Sequence, residues 1–186
     1  MTELTYVTGN KFKIFSAKQI LEPLGITVNA KKIDCPEIQA DSIEEVAIYS
    51  STYACEELGQ AVLKMDMGLI IPALNNFPGP YTKYVEETIT EDGILKLMKD
   101  VENREAYFLE VLSFKEPGKD VKLFYVKTEG TIAYEKDGEY GWGYDHIFIP
   151  NGQTKPLACF EDEERASLWA SGGYEQLAEY LKTLWI

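Results

Sequence analysis

The chain has 186 residues, 45% hydrophobic and 26% charged, the profile of an ordinary globular protein long enough to bury a real core. Its formal net charge of -13, with no basic stripe, speaks against a partner that is a nucleic-acid backbone. No apolar run approaches bilayer length and the start "MTELTY" reads as a strand instead of a cationic leader, so the expectation is a cytoplasmic protein with no membrane partner.

In chain order, "ELTYVT" (3–8) predicts a strand with Gly9 as its turn. From Asn10 to about Glu22, Ile14, Ala17, Leu21 and Leu24 recur at helical spacing, and Pro23-Leu24-Gly25 punctuates the end. "ITVNAKKI" (26–33) predicts a second strand, close enough to complete a β-α-β unit. Asp41 or Ser42 caps a helix running to about Leu58, with Glu45 in place for a capping box. "GLIIPAL" (68–74) suits a short buried strand that Pro72 must end or kink, and "NNFPGPY" (75–81) is loop. "TEDGILKLMKD" (90–100) is helical. "AYFLEVLSF" (106–114) and "KLFYVKTEGTIAY" (122–134) are strands joined by the turn-rich stretch 116–120, and "HIFIP" (146–150) is a third, short strand. Tyr174 to Trp185 forms an amphipathic helix with Leu177, Tyr180, Leu181 and Leu184 on one face. Helices interleaved with strands and a central hairpin predict an α/β fold: a mixed, partly parallel central sheet flanked by helices, in a single domain over 1–186.

Cys35, Cys55 and Cys159 are odd in number and far apart without CxxC spacing, so neither a disulfide framework nor a zinc site is indicated. The stretch "VTGNKFKIF" (7–15) is more informative. It sets a tight turn, a helix N-terminus and two lysines together, which suits phosphate oxygens. A plainer reading makes Asn10 an N-cap and Lys13 a solvated side chain, and the sequence leaves both open.

"TGNKFK", "CPEIQ" (35–39), "MDMGL" (65–69), "NFPGPYTKY" (76–84), "EGTI" (129–132) and "GWGYDHIFIP" (141–150) occur in one order along nearly the whole chain. This series resembles the inosine triphosphate pyrophosphatase family, enzymes that hydrolyse non-canonical purine nucleoside triphosphates to monophosphate and pyrophosphate. The resemblance implies two lobes with a cleft between them. It implies that Thr8, Asn10 and Lys13 line the triphosphate and that Lys83 reaches the phosphates. It further implies that Glu37 and Asp66 are catalytic and hold Mg2+, with Mn2+ as an alternative. In the segment Trp142, Gly143, Tyr144 and Asp145, it implies that the first aromatic stacks on the purine and the aspartate lies near the base. Family members are commonly homodimers, and that expectation comes with the resemblance.

The departures are concentrated. The family's D-D-S-G-L is here Met65-Asp66-Met67-Gly68-Leu69, with one carboxylate lost. The K-N pair of its C-terminal signature falls on Arg165-Ala166, where Arg165 could replace the lysine as a phosphate contact. The S-H-R triplet, which in the family reads the 6-oxo edge of the base, falls on Trp169-Ala170-Ser171. The only histidine, His146, replaces the proline that usually follows the aspartate, and is read as structural. Two functions are therefore expected to compete: a metal-dependent pyrophosphatase of altered or relaxed base preference, and a non-catalytic relative that binds a nucleotide or a partner.

Overall fold

The computed structural model describes residues 2–184. Met1, which opens the expected first strand, and Trp185, with which the expected last helix ends, lie outside the described residues.

The β-α-β expectation holds. Strand β1 (Thr2–Val7) leads into α1 (Lys11–Leu21), and β2 (Ile26–Lys31) returns parallel to β1, with Leu4 opposite Val28 and Val7 opposite Lys31. Asn10 starts α1: its side-chain oxygen accepts the N–H groups of Phe12 at 2.9 Å and Lys13 at 3.2 Å. Gly25, in the left-handed region at φ 82, stops the 3-10 turn that follows. Helix α2 (Ile43–Leu58) is capped by Ser42, which accepts the Glu45 N–H at 3.2 Å. The Glu45 carboxylate accepts the Asp41 N–H, one residue beyond the usual capping-box partner, Ser42.

The strand expected over 68–74 is displaced. Strand β3 spans Val62–Ile70, and Pro72 opens a 3-10 helix, Pro72–Leu74, because a residue without an N–H cannot extend a ladder. The stretch from Lys64 to Met67 has no strand-like composition, yet it lies in a central strand between two neighbours, where pairing overrides propensity. Asp66 therefore sits inside β3 and not at its mouth. Two short helices that the sequence did not mark are α3 (Thr82–Thr88) and α5 (Asp162–Ser167). The remaining elements are α4 (Thr90–Leu97), β4 (Glu105–Lys115), β5 (Lys122–Ile132), β6 (Phe148–Pro150) and α6 (Gly173–Leu184). His146 ends a 3-10 turn, Gly143–His146, instead of opening a strand.

The six strands form one mixed sheet in the order β2-β1-β3-β4-β5-β6, parallel at β2-β1-β3 and antiparallel at β5-β6. The chain divides into two compact units. Residues 1–66, 110–126 and 171–186 make the first, and residues 67–109 and 127–170 the second, so β3, β4 and β5 each contribute one end to each unit. In the first unit, Leu4, Tyr6, Leu63, Leu112 and Phe114 pack with Ala17 and Leu21 of α1 and Leu177 and Leu181 of α6. A smaller cluster joins Val7 and Val62 to Ala54 and Cys55 of α2. In the second, Leu69, Ile94, Met98, Phe108, Ile132, Ile147 and Phe148 form a separate core. Each large side chain so buried contributes about 1.5–3 kcal/mol.

Candidate active site

The first unit carries Thr8, Asn10, Lys13, Glu37 and Asp66, the residues expected at the phosphate and metal pole apart from Lys83. The turn after β1 closes on itself: the Asn10 N–H donates to Thr8 Oγ1 at 3.1 Å, and the Thr8 N–H to the Lys31 carbonyl at 3.0 Å. Lys13 is half-buried, and its ammonium donates to the Met65 carbonyl at 3.1 Å, on the residue beside Asp66. Burial lowers the Lys13 pKa, while the Glu110 and Asp66 carboxylates oppose that shift. Asp66 is held in place by the Ser50 hydroxyl of α2, which donates to Oδ2 at 3.0 Å. Glu37 lies exposed in the loop between β2 and α2. The Cys35 thiol links this loop to the acids: its sulfur donates to the Ser50 carbonyl at 3.9 Å. Burial raises the Cys35 pKa, and the charges of Lys64, Asp66, Asp34 and Glu37 all reach it.

Among the described residues, no group of three or more His, Cys, Asp or Glu side chains could cage a metal ion. Mg2+ asks for less, since one or two carboxylates with substrate phosphates and waters complete its shell. The donor set of Glu37 and Asp66 fits that mode and would not fit a dedicated protein cage.

The second unit carries the base-side residues. Gly141 and Gly143, at φ 70 and 54, turn the chain so that Trp142 stands 62% exposed between them. Tyr144 points the other way: it is buried against Phe108, and its hydroxyl donates to the Thr82 carbonyl at 3.0 Å. Asp145 folds back over the turn and accepts the Trp142 N–H at 3.3 Å. Arg165, from α5, lies 3.7 Å from Asp145 through Nε, 2.6 Å from Asp162 through an end nitrogen, and donates to the Phe160 carbonyl at 3.2 Å. Its guanidinium is engaged by carboxylates, which suits an organiser of Asp145 better than a phosphate ligand. Burial raises the Asp145 carboxyl, opposed by the Trp142 N–H and Arg165. Lys83 is exposed in the first turn of α3. Of the positions that replace the family's base-reading triplet, Trp169 packs on Phe108 at 5.0 Å between ring centres, and the Ala170 N–H donates to Thr128. The His146 carbonyl accepts the Asp137 N–H at 3.1 Å.

Sequence reading missed three residues here. Ser50 is a small polar residue on the buried stripe of α2 with Ile43, Ala47 and Ala54. Glu110 interrupts the alternation Ala106, Phe108, Leu112, Phe114 along β4, and burial raises its carboxyl while Lys13 opposes the rise. Both signals were legible as breaks in a pattern. The third, Glu86 of α3, follows buried Val85 and has no such mark.

The sequence profile of the Ham1 family matches residues 4–171. The chain is 45% identical over 181 residues to a protein of Methanopyrus kandleri named dITP/XTP pyrophosphatase, covering 97% of this chain and 96% of that one. Among solved structures, a Ham1 protein of Coxiella burnetii superposes with a TM-score of 0.83 at 26% identity, over 98% of this chain and 100% of that one. The Staphylococcus aureus Ham1 protein gives 0.80 at 27%, over 98% and 99%. Six motifs in family order, the mixed sheet and these likenesses agree: the chain belongs to the Ham1 family.

Proposed function

We propose that this chain hydrolyses non-canonical purine nucleoside triphosphates to monophosphate and pyrophosphate, with relaxed choice of base. The observation that supports it most directly is Asp66 fixed by the Ser50 hydroxyl in a chain 45% identical to a dITP/XTP pyrophosphatase. The reaction breaks the bond from the α-phosphorus to the oxygen bridging to the β-phosphate. A water oxygen takes its place, pyrophosphate leaves, and one water proton must go to a base. Asp66, with Oδ2 held, has Oδ1 to orient that water and take the proton, and Glu37 shares the pole. When bound by these carboxylates, Mg2+, or Mn2+ in its stead, would neutralise phosphate charge.

Thr8, Asn10, Lys13 and Lys83 serve the phosphates in this reading, with Lys13 exchanging the Met65 carbonyl for a phosphate oxygen. Trp142 offers the base its face, Gly143 and Tyr144 shape the turn beneath it, and Arg165 steadies Asp145. The 186 residues act as one domain, cytoplasmic and as a homodimer. No helix among the described residues is long and apolar enough to cross a membrane.

Trp169, Ala170 and Ser171 present few donors to a 6-oxo edge, and stacking does not distinguish it. The ratio of kcat/KM for ITP over ATP should fall to about 10- to 200-fold or less, the range that shape alone gives. A panel of triphosphates assayed with Mg2+ for pyrophosphate and monophosphate measures it, and strong selectivity for ITP or XTP would end the relaxed-base reading. The alternative is a non-catalytic nucleotide binder, favoured by the Lys13 ammonium turned onto Met65. Absence of hydrolysis of every triphosphate with either metal would establish it.

A further inference from the structure

The turn that carries Trp142 is bracketed by two carboxylates. A Cβ at Gly141 would collide with the Asp145 carboxylate, and one at Gly143 would collide with the Glu86 carboxylate. Asp145 accepts the Trp142 N–H on one side, and the Glu86 carboxylate lies against the Gly143 backbone on the other. Glu86 comes from α3, and the residues around it fix that helix to this turn, since the Tyr144 hydroxyl bonds the Thr82 carbonyl at 3.0 Å. Placing a half-buried acid here is costly in two ways. Burial raises the Glu86 carboxyl, the Tyr144 backbone opposes that rise, and Asp145, Glu91 and Glu87 add repulsion. Arg165 is engaged by Asp145 and Asp162.

We infer that Glu86 is a positioning residue: with Asp145 it clamps the Gly141–Gly143 turn and so fixes the exposed indole of Trp142. The two glycines then have a second purpose besides their positive φ, because only a residue without Cβ lets both carboxylates close on the backbone. The inference rests on the reading that Trp142 stacks on the base, and extends it to a residue that touches no ligand.

The test uses the full chain labelled with fluorotryptophan, the three indole resonances being assigned by single Trp→Phe substitutions. In Glu86→Ala the Trp142 resonance of the ligand-free protein should shift and sharpen as the turn loosens. KM for ITP should rise about three- to tenfold, the effect of one lost hydrogen bond, with kcat little changed. Inhibition by inorganic tripolyphosphate, which has no base, should stay as in the wild type. Glu86→Gln keeps an acceptor oxygen and should restore both the resonance and KM. An unmoved Trp142 resonance in Glu86→Ala, or a Gln variant as impaired as the Ala variant, overturns the clamp. A resonance that moves while KM stays constant keeps the clamp and removes the base-stacking role of Trp142 instead.

Discussion

The two units solve the same problem, how to hold a polar group at a working surface, in opposite ways. In the first, the phosphate-side groups have internal partners from distant segments: Lys13 on Met65, Asp66 on Ser50, and the Tyr174 hydroxyl on the Lys13 carbonyl at 3.2 Å. In the second, the base-side turn is held at its backbone, by the Asp145 carboxylate from within the segment and the Glu86 carboxylate from α3 closing on glycines. The first arrangement leaves side chains that a ligand can draw away from their resting partners. The second leaves one rigid aromatic face and little else to exchange. The difference teaches that a change at Trp169 or Ala170 need not disturb Lys13 and Asp66, because the two units have separate cores.

The largest expected effect tests the first unit. Asp66→Asn should lower turnover by about 10²- to 10⁴-fold, the range for a lost general base, while the thermal midpoint barely moves, since the amide still fits beside Ser50. Activity at the wild-type level would take Asp66 out of the mechanism. Next, Lys13→Ala should weaken triphosphate binding by about 1.5–3 kcal/mol and leave monophosphate binding nearly intact, as calorimetry on both ligands would show. Equal weakening of both would make "TGNKFK" a simple strand-to-helix turn.

The smallest effect sharpens the second unit. Burial raises Glu86 and Asp145, so the folded chain keeps protons that the unfolded chain has released. The stability involved is present in acid and is lost as pH rises from the ordinary carboxylate range through the raised values. The groups that act on Glu86 are the Tyr144 backbone, Asp145, Glu91 and Glu87; those that act on Asp145 are the Trp142 N–H, Arg165 and His146. Thermal midpoints across mildly acidic to neutral pH should fall with a shallow slope, and Glu86→Gln should flatten it. Glu110 in the first unit has the same sign and keeps part of the slope in that variant. An unchanged slope would place the titration outside the turn.

Much was legible in the sequence because it depends on neighbours a few residues apart. The Asn10 and Ser42 caps, the Gly25 stop, the β1-α1-β2 unit and the last amphipathic helix follow from spacing and local hydrogen bonding. So did the family, since its motifs are short runs in fixed order. The tertiary structure alone decided where β3 begins, because strand pairing and not composition holds Lys64 to Met67 extended. It alone turned Lys13 inward, gave Asp66 its Ser50 partner, sent Tyr144 into a core and set Glu86 against Gly143. The physical reason is sequence separation: Lys13 meets a carbonyl of residue 65, and Glu86 lies against the backbone of residue 143. Periodicity tells which face of an element is buried, but it cannot say which polar group from a distant element will meet that face.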